Sequence, residues 1–353
     1  MATQLATGMA LPLNRKCHPP QRFTGSIGAA VLLCLALVLP AIAQTRLYAG
    51  LLNTKGYVVG SALSESGLLR HEGDTTWSHV GWNHPRVNAM AVDPRDTDTF
   101  YLAAGNGVLR TRDGGASWRI TTDWEVTESQ DVAVDPNAPD EVYVATAYGV
   151  WASSDGGDTW AETNTGLGQT YVQSLAVDRE QVRRLLAGTW GGLYETTDGA
   201  ATWSTVLGPE FSILHVTQSP SNPHLWLAGT QNHGVLLSQD NGASWEEAEG
   251  TSGLSIYSVA SDPFDPDRIA AGGWDAGILL STDGGRTWTR RDETLPTPNF
   301  YRVVFDPVRR GTLWAASVEE GIFRSDDAGE TWRYAGLDGT LVFHLTFVDE
   351  GNN

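Results

Sequence analysis

Three polar residues occupy the same position in recurring segments of this sequence. Asp131, His215 and Arg302 each stand four residues before the turn residue that ends a short apolar run, and His344 lies near the start of a similar run. A carboxylate that faces an arginine and two histidines could bind an anion or act as a general acid. A hydrogen-bonded polar plug in a water-filled channel is the alternative, and it is the interpretation we prefer.

Aromatic residues recur at a second position, just after the second apolar run of each segment. The residues at that position are Leu52, Asn106, Tyr148, Trp190, Gln231, Trp274 and Val318. Trp124 and Tyr301 lie in or beside the neighbouring loops. Exposed aromatic rings stack on sugar faces or anchor a peptide. The same rings could instead cover gaps between repeats, and both interpretations stay open.

Acidic residues in these loops offer a catalytic alternative. A glycoside hydrolase needs two carboxylates about 5 to 10 Å apart across the groove that holds the sugar. The candidates are Glu125, Glu128, Asp131, Asp275, Glu319 and Glu320. A converging pair would favour hydrolysis, and the lack of such a pair would favour binding without catalysis.

The sequence contains no motif that is typical of a metal or cofactor site. His71, His79 and His84 lack the spacing of a zinc site, and no phosphate-binding or dinucleotide-binding glycine motif precedes a helix. We therefore expect neither a metal nor a cofactor.

The elements that carry these residues form a regular repeat. Seven tryptophans, from Trp77 to Trp332, follow one another at intervals of 41 to 44 residues, and turns such as Asp93-Pro94 keep the same period. Each unit reads as strand, turn, strand, loop, strand, tight turn and a short fourth strand, without helical periodicity. A period near 42 with four strands per unit predicts an all-β, seven-bladed β-propeller over residues 44–353.

The phase of the repeat predicts how the ring closes. The segment from Arg46 to Gly50 matches the second strand of a unit, whereas LVFHLTFVD, ending at Asp349, matches a first strand. One blade is therefore expected to be composite, with its inner strand supplied by the C-terminal segment.

Residues 1–43 have the pattern of a signal peptide. Basic residues precede an apolar run of about thirteen residues, and Ala41-Ile42-Ala43 supplies the small-residue cleavage pattern. The rival interpretation is a lipid attachment site at Cys34. We expect cleavage near Ala43, a product without disulfides because Cys17 and Cys34 leave with the leader, and a secreted or periplasmic location without membrane insertion.

The charge balance limits the classes of partner that the chain can bind. The chain has 42 acidic and 23 basic residues and a formal net charge of −19. Such a chain repels phosphate backbones, so we expect no nucleic-acid partner. We expect a monomer that binds a protein or a carbohydrate.

The tight turns carry the most specific motif. In each, a Ser or Thr precedes an Asp by two residues, and a Gly and a second hydroxyl residue lead to the repeating Trp. The turn aspartates are Asp113, Asp155, Asp198, Asp240, Asp283 and Asp327. Ala200 replaces the Gly in the Asp198 copy. These residues are suited to holding a turn together, so we assign them a structural role.

This pattern resembles the Asp-box, or bacterial neuraminidase, repeat over essentially all of residues 44–353. Similar repeats occur in exported propellers such as sialidases, the sortilin ectodomain and xyloglucan-cleaving glycosidases. The resemblance implies a propeller scaffold and leaves the function open, because the motif serves the fold. It does not favour a sialidase, since no arginine triad is recognisable. We expect a non-catalytic binding or assembly module, with a glycoside hydrolase as the alternative.

Overall fold

The computed structural model describes residues 44–54, 66–81, 84 and 86–350. The segment 1–43, assigned to a signal peptide, lies outside the described residues. The described ranges form 28 β-strands in seven four-stranded antiparallel sheets and contain no helix. Accordingly, no helix suited to crossing a membrane occurs within them. The predicted all-β seven-bladed propeller is confirmed.

Four sets of strands build the blades from the central channel outward. The inner strands are β4 (Ala89–Asp93), β8 (Ser129–Val134), β12 (Val172–Val177), β16 (Ile213–Gln218), β20 (Ser255–Asp262), β24 (Phe300–Phe305) and β28 (Thr340–Glu350). The second strands are β1 (Gln44–Asn53), β5 (Asp96–Ala103), β9 (Val142–Thr146), β13 (Leu185–Thr189), β17 (Trp226–Thr230), β21 (Asp265–Trp274) and β25 (Leu313–Ser317).

The two outer sets complete each blade. The third strands are β2 (Gly67–Gly73), β6 (Val108–Thr111), β10 (Gly149–Ser153), β14 (Gly192–Thr196), β18 (Val235–Ser238), β22 (Gly277–Ser281) and β26 (Ile322–Ser325). The outermost strands are β3 (Thr76–His79), β7 (Arg119–Ile120), β11 (Ala161–Glu162), β15 (Ser204–Leu207), β19 (Glu246–Glu247), β23 (Thr289–Arg290) and β27 (Arg333–Tyr334).

The ring closes through the predicted composite blade. Strand β28 pairs antiparallel with β1, and the sheet continues through β2 to β3. Inner strands of neighbouring blades also contact one another, including β28 with β4. The first and last described strands thus complete one blade without a covalent link.

The hydrophobic core lies between the blades. Second strands such as β9 and β17 are buried along their whole length because another blade covers each of their faces. Two large aromatic side chains of this layer, Trp226 and Trp314, are at most 2% exposed. Each blade is therefore stabilised mainly by its neighbours in the ring.

The six aspartate turns that join third to fourth strands share one hydrogen-bond pattern. In each, the Asp accepts from the backbone N–H four residues later at 2.8 to 2.9 Å. It also accepts from the hydroxyl of that same residue and from the hydroxyl two residues before it. These bonds lower the pKa of Asp155 and Asp283 to about 2. Ala200 keeps the same turn with a left-handed φ of 69°.

Candidate functional site

The aspartate turns and the candidate site lie at opposite ends of the propeller. Aspartate turns hydrogen-bond to the turns between first and second strands, for example Gly156 N–H to the Asp140 carbonyl at 2.9 Å. At the other end, where the inner strands begin, a cavity of about 440 Å³ opens into the channel. This volume is typical of small-ligand sites. The two ends of the propeller are therefore distinct in chemistry.

This space is named the mouth cavity. Its lining consists of Arg86, Asn88, Gln130, Tyr171, Gln173, Trp190, Leu214, Gln231, Tyr257, Tyr301, Arg302 and Phe343. Among the described residues, no Asp or Glu contributes to this lining. The cavity is therefore built from aromatic rings, amides and two guanidinium groups.

A β-bulge near the start of six of the seven inner strands exposes one extra residue of each strand to the mouth. In β24, Phe300 pairs with Ser317 and Arg302 with Ala316, which leaves Tyr301 unpaired between them. The same shift occurs in five other inner strands. The unpaired residues are Gln130, Gln173, Leu214, Tyr257, Tyr301 and Phe343. Because a bulge interrupts the alternation of side chains, the neighbours Tyr301 and Arg302 both reach the cavity.

Aromatic contacts organise one side of the mouth. The Tyr257 and Tyr301 rings lie with centroids 4.9 Å apart, and Phe343 meets Tyr301 edge-on at 6.1 Å. Tyr171 stacks on Trp190 with centroids 4.3 Å apart. Trp190 is nevertheless 55% exposed, so the pair presents an aromatic surface to solvent. Such surfaces suit stacking against a sugar or an apolar side chain.

Asp131, His215 and Arg302 directly follow bulge residues on their strands. Each forms hydrogen bonds to a neighbouring blade. Asp131 accepts from Leu175 N–H at 2.9 Å, and His215 Nδ1 accepts from Val259 N–H at 3.3 Å. Arg302 donates from Nε to the Phe343 carbonyl and from Nη1 to the Tyr257 carbonyl. These hydrogen bonds connect the inner strands of neighbouring blades.

Asp131, His215, Arg302 and His344 border the channel and are half-buried. Their withdrawal from bulk water is nevertheless the main cause of the shifts in their pKa values. It raises the pKa of Asp131 to about 6, against the effects of two backbone hydrogen bonds and Arg302. It lowers the pKa of His344 to about 3, and Arg302 acts in the same direction. The pKa of His215 is likewise well below its usual value. Both histidines are neutral near pH 7, while Arg302 is a cation.

The structure brings together only some of the residues singled out in the sequence. Trp190 and Tyr301 line the mouth cavity, and Arg302 separates it from a second cavity below, which His215 and His344 border. Trp124, Tyr148 and Trp274 are exposed on the surface and do not line the mouth. Tyr148 donates instead to Glu128 at 3.2 Å. Within the described ranges, no group of three His, Cys, Asp or Glu side chains could hold a metal ion.

Several lining residues were missed by the sequence analysis. They are Arg86, Asn88, Gln130, Tyr171, Gln173, Leu214, Tyr257 and Phe343, whereas Gln231 lies at the recurring position after the second strand that was named from the sequence. A signal was present, since positions 88, 130, 173, 214, 257, 301 and 343 recur with the period of the repeat. Strict strand alternation places them on the opposite face from Asp131 and Arg302, and only the bulge reverses that placement.

Comparison with known proteins identifies structural neighbours. No family model and no curated protein matches the sequence. A GH74 enzyme from Niastella koreensis matches 77% of this chain and 51% of its own, at TM-score 0.64 and 19% identity. The GH74 xyloglucanase from Xanthomonas campestris covers the same shares at TM-score 0.63 and 19% identity. The chain thus spans about half the length of these enzymes.

A smaller neighbour matches over nearly its whole length. The structure of YCF48 bound to D1 peptide covers 75% of this chain and 91% of its own, at TM-score 0.55 and 16% identity. These likenesses show a shared seven-bladed propeller fold.

Proposed function

We propose that this chain is an exported, monomeric, non-catalytic binding module that holds a glycan or a protein segment in the mouth cavity. The observation that carries the proposal is the lining of that cavity, in which aromatic rings, amides and two guanidinium groups surround the channel and no described residue supplies a carboxylate. Amides both donate and accept hydrogen bonds, and aromatic faces stack on sugar rings. This combination suits a hydroxyl-bearing ligand and offers no described carboxylate as a general acid.

The carboxylates considered for hydrolysis support this choice. Asp131, the candidate nearest the channel, already accepts hydrogen bonds from Val132 N–H and Leu175 N–H, both at 2.9 Å. Glu128 accepts from the Tyr148 hydroxyl away from the mouth. A pair of catalytic carboxylates facing the aromatic lining is thus missing from the described mouth residues.

The aspartate turns support assignment of the repeat to the Asp-box type. Their hydroxyl and carboxylate groups are consumed within the turns, as that resemblance implies. These groups therefore serve the scaffold, and ligand binding falls to the opposite face.

Protein binding is the second candidate. The YCF48 neighbour is a propeller of similar extent whose structure contains a D1 peptide, whereas the GH74 neighbours are about twice as long as the shared region. A single propeller of this size can therefore bind a polypeptide. The mouth amides and aromatic rings would suit a peptide as well as a sugar.

A matched pair of tryptophan variants tests the location of the site. Binding is screened on glycan and peptide arrays, and each ligand found is then titrated against Trp190→Ala and Trp274→Ala. The two side chains are about equally exposed, at 55% and 50%, but Trp190 alone of the two lines the mouth. We expect a loss of affinity of tenfold or more for Trp190→Ala and little change for Trp274→Ala.

Two outcomes would contradict the proposal. Equal affinities of both variants and the wild-type protein would show that the ligand binds elsewhere. Turnover of a bound glycan, followed by reducing-end release, would show a hydrolase.

A further inference from the structure

The mouth cavity carries a charge opposite to that of the chain. Acidic residues outnumber basic ones by 42 to 23, yet the titratable lining includes Arg86 and Arg302 and, among the described residues, no carboxylate. Neither guanidinium has a described carboxylate oxygen within 4.0 Å. Elsewhere, arginines such as Arg95 and Arg184 pair directly with aspartates. The mouth is therefore a basic site on an acidic protein.

Phe343 holds the two guanidinium groups at one side of the cavity. The guanidinium carbon of Arg86 lies 4.5 Å from the Phe343 ring centroid, and its Nε donates to the Asn88 amide oxygen at 2.6 Å. Arg302 donates to the Phe343 backbone carbonyl from below. Both side chains are thus fixed by neutral partners, and both keep N–H groups for a ligand.

Arg302 is also a cation that is partly withdrawn from water, and this burial lowers its pKa. Asp131 influences it through space, but the carboxylate of Asp131 is used by two backbone N–H groups. A charge withdrawn from water without a directly bound counter-ion is costly, and an anionic ligand group would offset that cost. The planar guanidinium matches a carboxylate in shape.

The main chain around the mouth does not favour an extended peptide. Peptides that add to a strand need free backbone groups. Here the carbonyls of Tyr257 and Phe343, two lining residues, accept from Arg302. Just below the mouth, the N–H groups of Val216, Val259 and Val303 donate to side chains of the neighbouring blades. Side-chain amides and aromatic faces remain, which suit the hydroxyls and ring faces of a sugar.

We propose that the mouth cavity is a binding site for a hexuronate residue of an acidic glycan, whose carboxylate binds Arg302 and Arg86. The inference rests on the proposed function as a binding module and names its ligand class. The sugar ring lies against Tyr257 and Tyr301, and the amides of Gln130 and Gln173 bind its hydroxyls. A volume of about 440 Å³ accommodates such a residue together with part of its neighbour.

The test compares acidic sugars with their methyl esters by calorimetric titration. The probes are oligomers of galacturonate, glucuronate and mannuronate, each in the free and the methyl-esterified form. We expect at least one acid form to bind, its ester to bind at least tenfold more weakly, and affinity to fall as salt is raised. Arg86→Gln removes an exposed guanidinium and should weaken binding tenfold or more. Arg112→Gln, an exposed arginine beside an aspartate turn, is the matched control and should bind like the wild-type protein.

The outcomes separate this inference from the proposed function. If a neutral glycan binds and Trp190→Ala abolishes that binding, while no uronide binds better than its ester, the binding module stands and the uronate site is overturned. If peptides with a free C-terminal carboxylate bind and no uronide does, the uronate site is again overturned. If acid forms bind but Arg86→Gln and Arg112→Gln behave alike, the carboxylate binds elsewhere and the assignment to the mouth fails.

Discussion

Closure of the ring by β28 is the feature on which the stability of the propeller should depend most. This strand pairs with β1 over ten residue pairs. Val342, Leu345 and Val348 on β28 are 0 to 5% exposed. Deleting residues 341–353 removes all three side chains and leaves unpaired edges on the composite blade.

The size of the effect follows from that burial. Burying a Val or Leu side chain contributes about 1.5 to 3 kcal/mol, so three contribute about 5 to 9 kcal/mol. The salt bridge from Arg46 to Glu350 at 3.4 Å and the hydrogen bond from Tyr48 to Glu350 at 2.8 Å are lost as well. A typical domain is stable by only about 5 to 15 kcal/mol, so the truncated chain should be largely unfolded or should associate through its open edges.

A milder variant keeps the prediction measurable. Leu345→Ala should cost about 2 to 5 kcal/mol. With an unfolding entropy of about 2.1 cal/mol/K per residue, a domain of about 300 residues loses about 1.5 °C in Tm for each kcal/mol, which gives a drop of about 3 to 8 °C. The control is Ile120→Ala on the outermost strand β7, where Ile120 is 60% exposed and the change should stay below about 0.5 kcal/mol. Thermal unfolding followed by circular dichroism measures all three. A truncated protein that melts within a degree or two of the intact one would show that closure by β28 does not stabilise the ring.

Three further outcomes are expected. Asp283→Ala should lower Tm by a few degrees, because one turn loses three hydrogen bonds, without altering ligand affinity; a change in affinity would contradict the separation of the two faces. Asp131 has a pKa of about 6 in the folded protein, above its ordinary value of 3.8, so the folded state binds an extra proton between these values. The contribution of Asp131 to the unfolding free energy should therefore grow as the pH falls from about 7 to about 5, whereas His215 and His344, whose pKa values are lowered, act in the opposite direction. Denaturant titrations should show that the stability of the wild-type protein minus that of Asp131→Asn increases over this range, and a constant difference would contradict the raised pKa of Asp131. Mass spectrometry of the exported product should give an N-terminus at Gln44, and a lipid on Cys34 would refute the assignment of the leader.

The fold could be predicted from the sequence because each blade repeats the same few local rules. Turn residues such as Asp93-Pro94 end the inner strands, and the repeating tryptophans set the period. The composite blade was predicted from the phase of the repeat alone, and the pairing of β1 with β28 confirms it. These signals are local, so no knowledge of long-range contacts was needed.

The candidate site was harder to predict, because its geometry depends on departures from the repeat. Tyr148, Trp190 and Trp274 hold equivalent places in the sequence, but only Trp190 lines the mouth. Tyr171 stacks on Trp190, whereas the hydroxyl of Tyr148 binds Glu128. The direction of an exposed side chain is set by such partners, which the spacing of the repeat does not reveal.

The seven blades supply an internal comparison that separates residues serving the scaffold from residues free to serve a ligand. Where the fold needs a group, the blades agree, as in the aspartate turns, whose hydroxyl, carboxylate and backbone contacts are nearly identical in six copies. At the mouth position they disagree. The seven residues there are Asn88, Gln130, Gln173, Leu214, Tyr257, Tyr301 and Phe343. Six of these residues are bulge residues at equivalent places on the inner strands, yet they are of four types, so the bulge itself does not require any one of them. Asn88 precedes β4 and donates to the Ser129 carbonyl of the next blade. Their grouping, with amides on consecutive blades and aromatic rings on consecutive blades, supports the binding role proposed for the mouth cavity.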